Sequence, residues 1–194
     1  ILTFLTASPA AADCVILLHG LARSSASFLI METALKGIGY DVVKVDYPAT
    51  KDDIESLANN SIPAAIEQCG NASQIHFVTH SMGGILVRYY LKNVPKKPKK
   101  LGHVVMLGPP NKGSPIVDKL GDLPGYELWN GAAGTQLGAG PTSIPNSLGP
   151  VDFPLGVIAG NQSISPIFSS LIEGDDDGKV SVESTKVAGM ADHI

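Results

Sequence analysis

The chain has 194 residues, of which 44% are hydrophobic, enough for one domain with a substantial buried core. Charged residues make up 16% and the formal net charge is -4, which excludes the cationic surface that nucleic-acid binding requires. No stretch approaches the ~20 apolar residues of a membrane-spanning helix.

In chain order, residues 1–12 (ILTFLTASPAAA) form a short apolar run ending in small residues. That pattern is expected of the end of a secretory signal peptide, cleaved before Asp13, in a chain whose first residue is not Met. The competing reading is an ordinary first strand. On the export reading, residues 13–194 are the folded domain, and its compartment is periplasmic or extracellular. Residues 15–19 are a continuous run rich in Val, Ile and Leu, too short for a helix, and predict a buried strand. Residues 24–36 carry apolar side chains at helical spacing and stop at Gly37 and Gly39. Residues 41–47 predict a second strand, ended by Pro48. Residues 52–68 predict a helix, with Asp52 and Asp53 at the end where the helix dipole favours negative charge. A third strand is expected over 74–80, a helix over 82–92, and further strands over 101–107 and 155–159. Residues 183–188 are the candidate sixth strand. The basic run at 96–100 (KKPKK) falls between a helix and a strand without aromatic neighbours for base stacking, and reads as a solvated loop.

Strand–helix alternation implies right-handed crossovers and an α/β fold with a mostly parallel sheet covered by helices on both faces. Between 109 and 150 the texture changes. Gly and Pro become frequent and periodicity lapses, yet Tyr126, Leu128 and Trp129 keep the segment apolar. A cap or lid-like insertion over a site is expected there. Cys14 and Cys69 each precede a strand, at what would be the same edge of a parallel sheet. A disulfide is one reading and a pair of packed free thiols the other.

The chemistry centres on Thr79-His80-Ser81-Met82-Gly83-Gly84. An apolar strand precedes it and an amphipathic helix follows, the context of a turn that lifts a serine hydroxyl clear of a sheet. Thr79 stands where the usual G-x-S-x-G pattern has its first glycine. His19-Gly20-Leu21 closes the first strand. The backbone N–H groups of Leu21 and Met82 are the expected oxyanion donors, and His19 is expected to order that loop rather than to act as base. A serine needs a base, and the base needs an acid to fix its tautomer. The order expected along such a chain is Ser, acid, His. Asp177 in the run Asp175-Asp176-Asp177-Gly178 is the candidate acid. Asp176, a solvated acidic loop or a calcium loop are the competitors, although the spacing of an EF-hand is absent. His103 falls at the wrong edge of the sheet, which leaves His193 as candidate base.

These residues resemble the bacterial lipase and esterase branch of the α/β-hydrolase superfamily. The segments that carry the resemblance are VILLHGLARSSASF, VDYPA, FVTHSMGGILVRYYL, VVMLGPPNKGSP and DGKVSVEST. It implies an α/β-hydrolase fold and a carboxylic ester hydrolase with a Ser-Asp-His triad. It also implies an acyl-enzyme, no cofactor or metal, frequent secretion, and a small-molecule or lipid ester as substrate. Ser81 and Asp177 match the family's nucleophile and acid. In relatives the chain continues past this point to a later histidine that looks like the base, so this sequence reads as shortened at its C-terminus. The same triad would serve an acyltransferase or thioesterase. A non-catalytic relative that binds lipid or protein is the further alternative.

Overall fold

The computed structural model describes residues 11–163 and 165–194. The expected signal remnant at 1–12 falls outside them except for its last two residues. β1 (Cys14–Leu18) is buried at every position, because both faces of the sheet at its centre are covered. A 3-10 turn (Ser25–Phe28) leads into α1 (Leu29–Gly37), splitting in two the single helix expected over 24–36. β2 (Asp41–Val45) follows, then α2 (Ile54–Gln68), whose Asp53 cap accepts from the Ser56 N–H at 2.7 Å. β3 (Ile75–His80), α3 (Met82–Asn93) and β4 (Leu101–Leu107) complete the central portion. The stretch before the next strand holds three short helices, α4 (Pro115–Leu120), α5 (Tyr126–Thr135) and α6 (Ile144–Ser147). β5 (Leu155–Ile158), α7 (Pro166–Ser169), α8 (Val182–Thr185) and β6 (Asp192–His193) close the chain.

The six strands lie in the order β2-β1-β3-β4-β5-β6, all parallel. Side chains alternate across the sheet. Cys14, Ile16 and Leu18 enter a large core with α2 and α3, while Val15 and Leu17 pack with Phe28 beneath α1. Leu18 pairs with Thr79, His80 with Leu107, and Leu107 with Ile158. The carboxyl ends of four strands therefore line one edge, where open α/β sheets bind their ligands. At the opposite edge, Cys14 and Cys69 are joined by a disulfide that ties the start of β1 to the end of α2.

The strand expected over 183–188 is corrected. Ser181 accepts from the Ser184 N–H at 3.1 Å and starts the turn of α8, so these residues coil. The sixth strand is instead the two-residue β6, with Val157 opposite His193. Among the described residues no helix is long and apolar enough to cross a membrane.

Candidate active site

β3 hands the chain to α3 through Ser81. Its N–H donates to the Leu107 carbonyl at 2.9 Å, and the next residue already belongs to the helix. The turn puts Ser81 at φ 52°, ψ -123°, a region that β-carbons rarely enter. Glycines make the turn possible. A Cβ on Gly83 would lie 2.6 Å from the Leu18 carbonyl oxygen and 2.8 Å from that of His19, so α3 starts pressed against the end of β1. A Cβ on Gly20 would lie 2.9 Å from His80 Nδ1 and 3.1 Å from Ser81 Cβ, so the loop after β1 runs hard against the serine. Among the described residues one other non-glycine has positive φ, Ala22 at 51° in that loop. Both strained residues line one cavity of about 470 Å³. Strain of this kind persists where the surrounding structure enforces it, and it gathers at functional sites.

The expected oxyanion donors are Leu21, in the loop after β1 that runs against Ser81, and Met82, next to Ser81 in the chain. Met82 opens α3, so its N–H has no preceding helical carbonyl to bond. Leu21 lines the cavity, in the loop gripped by His19. The His19 ring is fully buried and stacks on Tyr47, with centroids 4.0 Å apart and planes 8° from parallel. Its Nε2 accepts from the Tyr47 N–H at 3.5 Å, which leaves the proton on Nδ1 to donate to the Gly20 carbonyl at 2.9 Å. The Tyr47 hydroxyl donates to the His19 carbonyl, and burial raises that phenol's pKa, so it remains a donor. His19 is thus spent on shaping the loop.

Asp177 stands over the carboxyl ends of β4 and β5. Its Oδ1 accepts from the Lys179 and Val180 N–H groups at 2.9 and 2.8 Å. A Cβ on Gly108 would lie 3.1 Å from its Oδ2, which has no hydrogen-bond donor among the described residues. Asp176 is used differently. It is buried, and its Oδ1 holds the Gly178 N–H at 2.6 Å and the Ser169 hydroxyl at 2.8 Å.

The structure does not bring His193 to Ser81. Its Nε2 bonds Thr185 Oγ1 at 2.8 Å. It lies on β6, three strands from β3, which at the usual spacing is about 14 Å. Chain order pointed to His193, but the strand that carries it pairs on the far side of β5. His103 is at the opposite edge, its N–H donating to His76 Nδ1 at 2.9 Å. His80 lines the cavity with Ser81, its Nδ1 turned toward Gly20. Burial first, then the charge of Arg23, holds its pKa below the ordinary histidine value.

Residues 13–133 match the family described as the alpha/beta hydrolase fold. The chain belongs to the α/β-hydrolase fold family. No curated protein matches it in sequence. Its fold is similar to that of the mature lipase BlEst2 of Bacillus licheniformis, at 19% identity and a TM-score of 0.71, covering 97% of this chain and 85% of that one. It is also similar to phospholipase PlaB of Legionella pneumophila, at 20% identity and a TM-score of 0.69, covering 91% of this chain and 45% of that one. A third likeness is to the metagenomic carboxyl esterase MGS0156, at 16% identity and a TM-score of 0.63, covering 98% and 66%.

In this α/β hydrolase the insertion after β4 forms the apolar wall of the cavity, through Leu120, Leu123, Tyr126 and Trp129, with Phe168 of α7 also lining it. Sequence reasoning missed Arg23 and Lys179, which line the same cavity. Each lies two residues beyond a residue that it did find, Leu21 and Asp177, and that proximity was the available signal. It also missed Arg88. This guanidinium is buried, donating to Asn111 O and Oδ1 at 3.0 and 3.1 Å and to Gly149 O at 2.8 Å. A lone charge on the apolar face of GILVRYYL was its mark.

Proposed function

We propose that this α/β hydrolase cleaves carboxylic esters, as an esterase or lipase, through an acyl-enzyme on Ser81. One observation carries the reading: a serine held at positive φ on the carboxyl edge of the sheet, directly before a helix and inside a largely apolar cavity. Ser81 Oγ attacks the ester carbonyl, and its proton passes to an imidazole and then to the leaving alcohol. Water repeats the sequence to release the acid. The Leu21 and Met82 N–H groups hold the oxyanion. Asp177 offers Oδ2 to the far nitrogen of the imidazole, fixing its tautomer, while Oδ1 stays anchored by two backbone N–H groups. The base is therefore an imidazole able to touch both Ser81 Oγ and Asp177 Oδ2, a position that none of the five histidines holds here. The wall formed by residues 109–150 receives the acyl chain and acts as a cap. The printed names of the three structural relatives, a lipase, a phospholipase and a carboxyl esterase, support the reaction class. The disulfide and the apolar start of the chain support a periplasmic or secreted location.

Turnover of p-nitrophenyl butyrate and labelling by a fluorophosphonate test this reading. Where a histidine completes the triad, Ser81→Ala is expected to lose labelling and up to about 10⁶-fold in turnover, and Asp177→Asn about 10⁴-fold. Retention of most turnover in Ser81→Ala, or a label elsewhere, overturns the reading.

A further inference from the structure

The protein is net negative, yet the cavity that holds Ser81 is not. Among its lining residues are two cations, Arg23 and Lys179, and no Asp or Glu. Most other cations of the chain are occupied. Lys36, Lys44, Lys97, Lys112 and Lys186 pair with carboxylates. Lys92, Lys100, Lys119 and Arg88 donate to backbone carbonyls. Arg23 and Lys179 have no ion pair among the described residues, and both are exposed and line the cavity. They come from the loop after β1, which runs against Ser81, and from the loop that carries Asp177. Arg23 follows the strained Ala22, and the Lys179 N–H is itself bonded to Asp177. Both line the cavity together with His80 and Ser81. Asp177, on the same loop as Lys179, has its Oδ1 held by two backbone amides. The opposite wall is Leu120, Leu123, Tyr126 and Trp129.

We infer that this cavity selects amphiphilic esters with a phosphate close to the scissile ester, the apolar wall taking the acyl chain and Arg23 and Lys179 taking the phosphate. The inference builds on Ser81 as the reacting group and adds the substrate class. A guanidinium grips phosphate through two parallel N–H donors and an ammonium adds a point charge. A neutral glyceride would leave both cations without an anion.

The test separates recognition from turnover. In Ser81→Ala, binding of 1-O-octylglycerol 3-phosphate is compared with that of 1-O-octylglycerol. Both are ethers with no bond to hydrolyse, and both are used below their micelle concentrations. Trp129, the single tryptophan, lines the cavity and reports by fluorescence. The phosphate ether is expected to bind about tenfold more tightly at low salt. That ratio is expected to shrink as salt screens the pair, to fall in Arg23→Gln and in Lys179→Gln, and to approach one in the double variant. Inorganic phosphate alone is expected to bind far more weakly than the phosphate ether. Equal affinity for the two ethers, binding of neither, a ratio unchanged in the double variant, or inorganic phosphate binding as well as the ether would each overturn the inference. Ester turnover by the unmutated protein is read separately. A failure there with the ratio intact removes the hydrolase reading and leaves the anion preference standing.

Discussion

Thr79 buries its hydroxyl oxygen completely and gives it no hydrogen-bond partner among the described residues. The sequence pattern of the turn has glycine at this position, and the structure indicates how a larger residue fits. A Cβ on Gly84 would lie 3.2 Å from Thr79 Oγ1, so the second glycine of the Gly83-Gly84 pair opposes the threonine across the turn. The hydroxyl is desolvated without compensation, which costs about 1–3 kcal/mol. Thr79→Val keeps the shape and removes the orphaned group. It is expected to raise the unfolding free energy by up to that amount, measured by urea denaturation, whereas Gly84→Ala is expected to lower it. His193 makes the opposite case. Its ring is bonded to Thr185, whose carbonyl accepts from Asn111 Nδ2, which places the imidazole in a structural network. His193→Ala is expected to leave ester turnover near wild type while lowering stability by about 1 kcal/mol. A loss of turnover comparable to that of Ser81→Ala would return His193 to the mechanism.

At the level of elements, the insertion between β4 and β5 is held at both roots by one side chain. Arg88, seven residues after Ser81 and on α3, donates to Asn111 near its start and to Gly149 near its end. Burial lowers the guanidinium's pKa to about 10, so it stays charged at neutral pH with neutral acceptors alone. The second half of the insertion is fastened further, by Ala133 N–H to Asp52 O and by Gln136 Oε1 accepting from Ile54 N–H. Between these anchors Leu128 and Trp129 are 85% and 79% exposed. Arg88→Met would leave three oxygens without their donor. It is expected to cost about 2–4 kcal/mol and to speed proteolysis within 109–150 in the native protein. Apolar runs were legible: β1, buried at every position, and β3 and β4, buried at alternate positions, fall where the sequence pattern put them. β6 was not legible. It is two residues long, and its pairing with β5 depends on where the chain returns rather than on its composition. The stretch 183–188 reads as a strand, but the capping hydroxyl of Ser181 turns its start into α8. The turn at Ser81 was legible for a related reason, since turn chemistry is local, whereas Arg23 and Lys179 come to one cavity from loops 156 residues apart in a chain whose net charge is negative.

Over the whole molecule, the candidate catalytic groups and the covalent tie lie at opposite edges of the sheet. Ser81 and Asp177 stand at the carboxyl ends of the strands, and the Cys14–Cys69 disulfide clamps the amino end of β1 to α2. The bond spans 55 residues of sequence, which include β1, α1, β2 and α2. Closing a loop of that length removes unfolded-state entropy worth about 4 kcal/mol at 25 °C in the chain-entropy account. Reduction is therefore expected to lower Tm by roughly 10 °C for a domain of this size. Ser81 is expected to keep its reactivity at temperatures where the reduced protein remains folded, because no part of the site touches either sulfur. Thiol titration in denaturant should find none before reduction and two after it. The Cys14→Ala/Cys69→Ala protein should melt where the reduced wild type does and ignore reductant. A wild-type Tm indifferent to reductant would mean that the bridge contributes nothing to stability, and two titratable thiols before reduction would mean that it does not form.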